Sequence, residues 1–373
     1  VLTRRGTLRI ECVDVVPLSV PLVEPFVIAS GRVDSTRSAE VRVTLRYAGR
    51  SAEGLGEAAC LPPVTWEDQA DAIEAVARAR AALVGASVEA SEPALRAVLA
   101  AAIPASAVAR AAVECAALDA LARAAEMPLR ELVASPDGRG ATTTLETDIT
   151  VPIGPPDAMV ARARAWAARG FEALKIKVGK DVDSDVRVLE SMGRALPHAR
   201  LRVDANAGYT AAEAIALARA CERLGLAVEV WEEPCAAGDW DAMAKVAATV
   251  RAPVVADESV RCLADVENVV RHRCAAGINL KLAKFGGLLA AYEAGAAARR
   301  AGLLIMVGGM VETRLGMTAA AHVACALGGV EFVDLDTAWL LAGDPYDGGY
   351  EADGPRYTFP RSPGLGVRRR PML

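Results

Sequence analysis

The 373-residue chain predicts an α/β fold, an eight-stranded (β/α)7β barrel preceded by a smaller α+β domain. Three observations carry this. After residue 140, eight short apolar strands alternate with seven alanine-rich helical stretches. The length exceeds what one ordinary core absorbs. A charged residue also closes most of the short strands, at the period of one βα unit.

Residues 8 to 60 alternate apolar and polar side chains ("RIECVDVVPLSVPL", then "AEVRVTLRYAG") between glycine and proline turns, which predicts an antiparallel meander. From Trp66 to about Leu132 the pattern becomes helical, closed by Pro128. Within "EGLGEAA", Gly54, Gly56 and Ala59 mimic a dinucleotide-binding turn. The following "CLPP" contradicts this, because a phosphate-cradling turn leads directly into a helix, so a strand bend is expected instead.

The barrel strands are expected in "TDITVPI", "ALKIKVG", "LRVDANAG", "AVEVWEEP", "PVVADES", "GINLKLAKFGG", "LLIMVGG" and "EFVDLD". Separators such as "TAAEAIALARACERLG" have helical length and end near glycine, as βα units require. Eight is the closing number for a barrel, and no phosphate fingerprint marks the switch point of an open sheet.

A formal net charge of -5 with interspersed signs argues against nucleic-acid or membrane partners and for a small-molecule substrate. Eight scattered cysteines without a C-x-x-C pair read as reduced thiols, without structural zinc. The start lacks a signal-peptide core and no stretch suits a membrane span, so a cytoplasmic protein is expected. His198, His272 and His322 sit in polar or alanine-rich surroundings that suit surface or core roles.

The strand ends carry Lys177, Asp204, Glu232, Asp257 and Lys281, in steps of 27, 28, 25 and 24 residues, then Asp334 with Asp336 a further 53 on. One such Asp is ordinarily a helix N-cap. Recurrence at the βα period instead describes a ring of charge at the C-terminal mouth of a barrel. Three carboxylates on consecutive strands repel one another unless a cation neutralises them, and oxygen-only ligation selects a hard ion such as Mg²⁺. In "ALKIKVGK", Lys175 and Lys177 share one strand face. Lys177 and Lys281 flank the carboxylates, so they approach the cavity from opposite sides. Burial and the ion are expected to lower the lysine pKa toward that of a base. A purely structural reading has lysines such as Lys175 bridging the carboxylates.

The motifs "LKIKVGK", "RVDANAG", "WEEP", "VVADESV", "INLKLAKFGG", "MVGGMVETRLGMTAAAH" and "VDLDT" together resemble the enolase superfamily, in its muconate-lactonising subgroup, and most of all the dipeptide epimerases. The resemblance implies a modified TIM barrel with an N-terminal capping domain: residues 1–130 capping, with specificity loops near 26–40 and 60–67, 131–340 barrel, and 341–373 returning to the cap. It implies Lys177 and Lys281 as acid/base residues, Asp204, Glu232 and Asp257 as Mg²⁺ ligands, and Glu258 as a supporting partner of Lys281. Lys175 resembles the neighbour that assists Lys177 and meets the substrate carboxylate. The implied reaction inverts an α-carbon by two-base proton transfer through an enediolate. Asp334 and Asp336 resemble the Asp-x-Asp pair that holds the ammonium of a dipeptide, both facing one way from a strand. Homo-oligomers are common among such proteins.

Three departures stand out. Glu232-Glu233-Pro234 replaces the usual Glu-Gln-Pro, and Trp339 follows the acidic pair, where it would narrow the pocket or face a cation. "FVIASGRVDSTRSAE" is longer than the corresponding loop, with Arg32 as the candidate for binding a glutamate side chain. The alternatives are another reaction of the subgroup (N-acylamino acid or modified amino acid racemisation, or cycloisomerisation), a Schiff-base aldolase using Lys177 or Lys281, and a non-catalytic binding protein.

Overall fold

A computed structural model describes residues 3–134 and 142–371. Residues 1–2, 135–141 and 372–373, which belong to the three expected segments, lie outside the described residues. The alternating N-terminal sequence forms β1 (Thr3–Leu18), β2 (Pro21–Ile28), β3 (Gly31–Ser35), β4 (Arg37–Tyr47), β5 (Arg50–Cys60) and β6 (Ser87–Ser91). Strands β5, β4, β1 and β6 make an antiparallel sheet, while β2 and β3 stand apart as a hairpin. Helices α1 (Gln69–Leu83), α2 (Glu92–Ala102), α3 (Ala107–Ala124) and α4 (Leu129–Val133) follow, and α3 packs along β5.

That packing explains "EGLGEAA". A Cβ at Gly54 would lie 2.1 Å from the Ala116 carbonyl oxygen, and one at Gly56 2.1 Å from that of Ala112. The glycines let strand and helix backbones touch, so the segment is the expected strand.

After β7 (Thr144–Glu146) comes the parallel sheet: β8 (Ile149–Val151), β9 (Ala173–Lys177), β10 (Arg200–Asp204), β11 (Val228–Glu232), β12 (Val254–Ala256), β13 (Gly277–Leu280), β14 (Leu304–Gly308) and β15 (Phe332–Asp334). Neighbours in sequence are neighbours in the sheet. The ring is drawn together by the Asp148 amide donating to the Val333 carbonyl at 3.1 Å and the Leu335 amide to Thr147 Oγ1 at 2.8 Å. The connecting helices are α5 (Pro156–Ala167), α6 (Val182–Ala195), α7 (Ala211–Arg223), α8 (Trp240–Ala247), α9 (Leu263–His272), the pair α10 (Leu282–Phe285) and α11 (Leu288–Arg300), and α12 (Arg314–Leu327). Asp181, Thr210 and Asp239 start α6, α7 and α8 by accepting backbone N–H bonds.

The crossover after β13 is split because Gly286 and Gly287 have φ of 72° and 151°. The break brings the loop against α3, where the Leu289 amide donates to Glu114 Oε1 at 2.9 Å. Inside the barrel, Val230, Val255, Met306 and Phe332 form their own apolar cluster. Complete burial of each such side chain contributes about 1.5–3 kcal/mol, and the plug supports the charged layer above it. The C-terminal segment reaches the N-terminal unit through Leu365 N to Asp119 Oδ1 (2.7 Å) and Arg369 to Glu40 (2.8 Å).

Candidate active site

Register sets the charged layer. Lys175 pairs with Arg202 and Thr150 on the neighbouring strands, Lys177 with Asp204, and Asp204 in turn with Glu232. Asp257 and Lys281 follow directly on β12 and β13. All five ring residues and Lys175 are at most 5 % exposed, so each charge needs a partner at hand.

Lysines supply those partners. Lys177 Nζ donates to Asp204 Oδ2 and Lys281 Nζ to Asp257 Oδ2, both at 2.6 Å. Lys175 Nζ donates to Asp334 Oδ2 at 2.6 Å and lies at ion-pair distance from Asp204 (3.0 Å) and Glu232 Oε2 (2.7 Å). The bridging role for Lys175 is therefore seen in the structure. Lys284, to which the sequence reading gave no part, pairs with Asp257 Oδ1 at 2.5 Å. Its signal was its spacing, three residues past Lys281 on a helical turn.

Electrostatics follow from this pairing. Burial pushes Asp204 upward, but the Lys177 and Lys175 ammonium groups outweigh it and hold the carboxyl at about 2. Burial, reinforced by Asp204, pushes Glu232 up to about 7. Burial alone would lower the Lys281 pKa, as the sequence reading expected. The adjacent Asp257 overrides it, so the net shift is upward and Lys281 is held as an ammonium. Burial does lower Lys284.

Glu233, the departure from the usual motif, does not face the ring. Its carboxylate accepts from the amides of Asp257 (2.6 Å) and Ser259 (3.1 Å), fixing the loop that carries Asp257. Burial, then Glu258, pushes it up to about 8. Glu258 Oε1 accepts from Asn206 Nδ2 at 3.1 Å; it reaches Lys281 through its field and not through a hydrogen bond. Asn279 Nδ2 holds Glu232 Oε1 at 2.8 Å.

The acidic pair differs from expectation in one respect. Strand β15 ends at Asp334, and Asp336 lies beyond it with φ −103° and ψ −16° at the start of a 3-10 turn. The bend nevertheless turns both carboxylates inward. Oxygens of Asp148, Asp334 and Asp336 lie within 4.8 Å of one another, all buried, the acidic cluster of that tightness among the described residues. Thr150 N donates to Asp336 Oδ2 at 2.5 Å, and Arg202 binds Asp148 Oδ2 at 2.9 Å. Burial and the neighbouring Asp334 push Asp336 up to about 6 and Asp148 well above the carboxylate range. Asp148 lies just before β8 and escaped the sequence reading because it starts a strand, whereas the recurring charges end them.

Asp204, Glu232 and Asp257 fit a hard divalent cation by their chemistry: three buried carboxylates at adjacent strand ends, with no nitrogen or sulfur donor in the set. Glu258 Oε2 and Asn206 Oδ1 are buried with no hydrogen-bond partner among the described residues, and Glu232 Oε2 is opposed by the Lys175 ammonium at 2.7 Å without a well-formed hydrogen bond. Such oxygens are stabilised by a cation.

Above the ring lies a cavity of about 30 Å³, space for about two water molecules. Lys177, Lys281, Asn206 and Glu258 form its floor, Asp334 and Asp336 one side, and Phe26, Ile28, Leu61 and Val64 its roof.

Two predicted residues are not brought into this cavity. Arg32 is at the tip of the β2–β3 hairpin, its side chain 60 % exposed and bound to Asp34 at 3.0 Å. Trp339 lies behind the roof, where its indole N–H donates to Tyr357 at 2.8 Å. It does face a cation, but that cation is Arg169, 4.8 Å from its ring.

Residues 10–134 match the family description "Mandelate racemase / muconate lactonizing enzyme, N-terminal domain", and residues 158–371 match "Enolase C-terminal domain-like". The chain is 36% identical over 366 residues to the L-Ala-D/L-Glu epimerase of Bacillus subtilis, covering 96% of this chain and 97% of that protein. It is 37% identical over 346 residues to the aromatic dipeptide epimerase of Herpetosiphon aurantiacus, covering 92% and 94% respectively. A solved structure of the dipeptide epimerase from Cytophaga hutchinsonii, complexed with Mg and the dipeptide D-Ala-L-Val, superposes with a TM-score of 0.88 at 28% identity. That match covers 97% of this chain and 96% of the other.

Proposed function

The chain belongs to the mandelate racemase/muconate lactonizing enzyme group of the enolase superfamily and is an isomerase of the epimerase kind; on that premise we propose a Mg²⁺-dependent dipeptide epimerase that inverts the α-carbon of the C-terminal residue. The opposition of Lys177 and Lys281 carries the proposal. Strands β9 and β13 are second and sixth of eight in sheet order, so their ends face each other across the barrel axis. An α-carbon between them meets a proton-transfer group on each face.

Asp204, Glu232 and Asp257 would hold the Mg²⁺, which when bound supplies charge that stabilises the anion developing on the substrate carboxylate. Lys175, kept charged by Asp334, Glu232 and Asp204 against its burial, adds fixed positive charge at that carboxylate. One lysine, as the amine, takes the α-proton onto Nζ, and the opposite lysine, as the ammonium, delivers a proton to the other face. Asp257 keeps Lys281 in the form needed to donate. Glu258, hydrogen-bonded to Asn206 beside Lys281, adds a negative field to the same end of the site.

Asp334 and Asp336 hold the ammonium of the N-terminal residue. Their convergence with Asp148 concentrates three carboxyl groups that, among the described residues, are opposed directly by Lys175 and Arg202. A further cation relieves that repulsion, and an N-acylated substrate brings none. Arg32 has no part in holding the reacting carbon in this reading.

Incubation with L,L-dipeptides and Mg²⁺ in D₂O tests the proposal. Deuterium is expected at the C-terminal α-carbon together with the L,D diastereomer. Exchange confined to N-acylamino acids would contradict it and favour another reaction of the muconate-lactonising subgroup.

A further inference from the structure

We infer that the side chain on the inverted carbon is apolar, and that substrates ending in glutamate, lysine or arginine are rejected. The inference rests on the proposed two-lysine reaction, but not on what is attached to the nitrogen of the reacting residue.

The geometry leaves one direction for that side chain. As the α-proton leaves, the carbon becomes planar, with Lys177 on one face and Lys281 on the other. Three substituents share the plane. The carboxylate is directed to Lys175 and to the Mg²⁺ that Asp204, Glu232 and Asp257 would hold, and the amide nitrogen leads the rest of the substrate toward Asp334 and Asp336 on β15 and beyond. The third direction leads to the roof. Phe26 is close to the reacting centre, since Lys177 Nζ lies 5.9 Å from its ring centroid and a base sits about 3–3.5 Å from the carbon it deprotonates.

The roof is apolar throughout. Phe26 and Ile28 come from β2, Leu61 and Val64 from the segment after β5, and none is more than 9 % exposed. The cations of this region are engaged elsewhere. Arg32 holds Asp34 in solvent, Arg162 pairs with Glu24, and Arg169 lies over the Trp166 and Trp339 rings. Arg261 faces away as well: its guanidinium donates to the Val64 carbonyl at 2.6 Å and covers the exposed Trp66 ring at 4.3 Å. It thereby fixes the Val64 wall without lending charge to the cavity. Among the described residues, the cations lining the cavity are Lys177 and Lys281, both bound to carboxylates. A substrate carboxylate or ammonium directed at this roof would lose its water and find no counter-charge.

The test crosses the side chain with the N-terminal half. L-Ala-X and N-acetyl-X, with X as Val, Leu, Phe, Glu or Lys, are incubated with the Mg²⁺-loaded protein in D₂O. Exchange at X is followed by mass spectrometry and binding by calorimetry. The apolar members of whichever series reacts should exceed the Glu and Lys members by about 100-fold or more in kcat/KM. Phe26→Ala should cost the apolar substrates about 10-fold in kcat/KM and so reduce their lead over the Glu member, with the thermal melt as a check on folding. A Glu or Lys substrate equal to or better than the apolar ones overturns the inference. Apolar preference appearing only in the N-acetyl series upholds it while refuting the dipeptide reading. Neither binding nor exchange in either series refutes both.

Discussion

The floor and the roof of the cavity are built on different principles. The floor is the rim of a barrel, where backbone register fixes each side chain: Lys177 beside Asp204, Asp204 beside Glu232. Its charges are buried and mutually paired, so moving one disturbs several. The roof consists of four apolar side chains from a two-stranded hairpin and a loop, tied to the barrel by contacts such as Arg261 to Val64. The floor sets which bond is broken, and the roof sets which side chain is tolerated. Changes in the floor should therefore abolish activity, while changes in the roof should redistribute it among substrates.

The largest expected effect belongs to the floor lysines. Lys177→Ala or Lys281→Ala should lower epimerisation by about 10³-fold or more, measured by chiral chromatography, with secondary structure retained by circular dichroism. Chelation by EDTA should remove activity to a similar degree, with recovery on adding Mg²⁺; full activity under chelation would break the proposed link between the carboxylates and the chemistry. Asp336→Asn comes next. The amide oxygen still accepts from Thr150, so the fold survives, but KM for dipeptides should rise about 10- to 100-fold in steady-state kinetics. In the roof, Arg261→Met should change kcat by less than about 10-fold and narrow the preference for apolar side chains, because Val64 is no longer held. An effect as large as that of the lysines would erase the distinction between floor and roof.

The smallest expected effect concerns stability. Burial, then Glu57, pushes Glu312 from 4.5 up to about 8. Between those values the folded chain keeps a proton that the unfolded chain releases. Its contribution is thus fully present below about 4.5 and lost as pH rises through about 8. Wild-type melting temperature should decline by a few degrees across that window, and Glu312→Gln should flatten the decline in calorimetry.

The floor was legible in the sequence because the βα unit repeats and each repeat ends in a charge. The eight barrel strands were legible for the same reason. Periodicity carries no information where the chain stops being periodic. Asp336 seemed to share a strand face with Asp334, yet the strand ends between them and a bend brings the two carboxylates together. Asp148, at a strand start, and Glu233, whose carboxylate turns to backbone amides, gave no periodic signal. The direction of the Lys281 shift also depends on a 2.6 Å contact with Asp257 that spacing alone does not supply. Arg32 was singled out by charge within a loop, but it lies on strand β3 two residues before Asp34, so the two side chains share one strand face.

The opposition of Lys177 and Lys281 is tested most directly by exchange with the single-lysine variants. Lys177→Ala and Lys281→Ala, each with Mg²⁺ in D₂O, are given L-Ala-L-Leu and L-Ala-D-Leu separately, and deuterium at the leucine α-carbon is measured by NMR. Neither variant should epimerise; each should exchange the α-proton of only one diastereomer, and the two variants should choose opposite ones. Exchange of the same diastereomer by both, or epimerisation by either, would contradict the account.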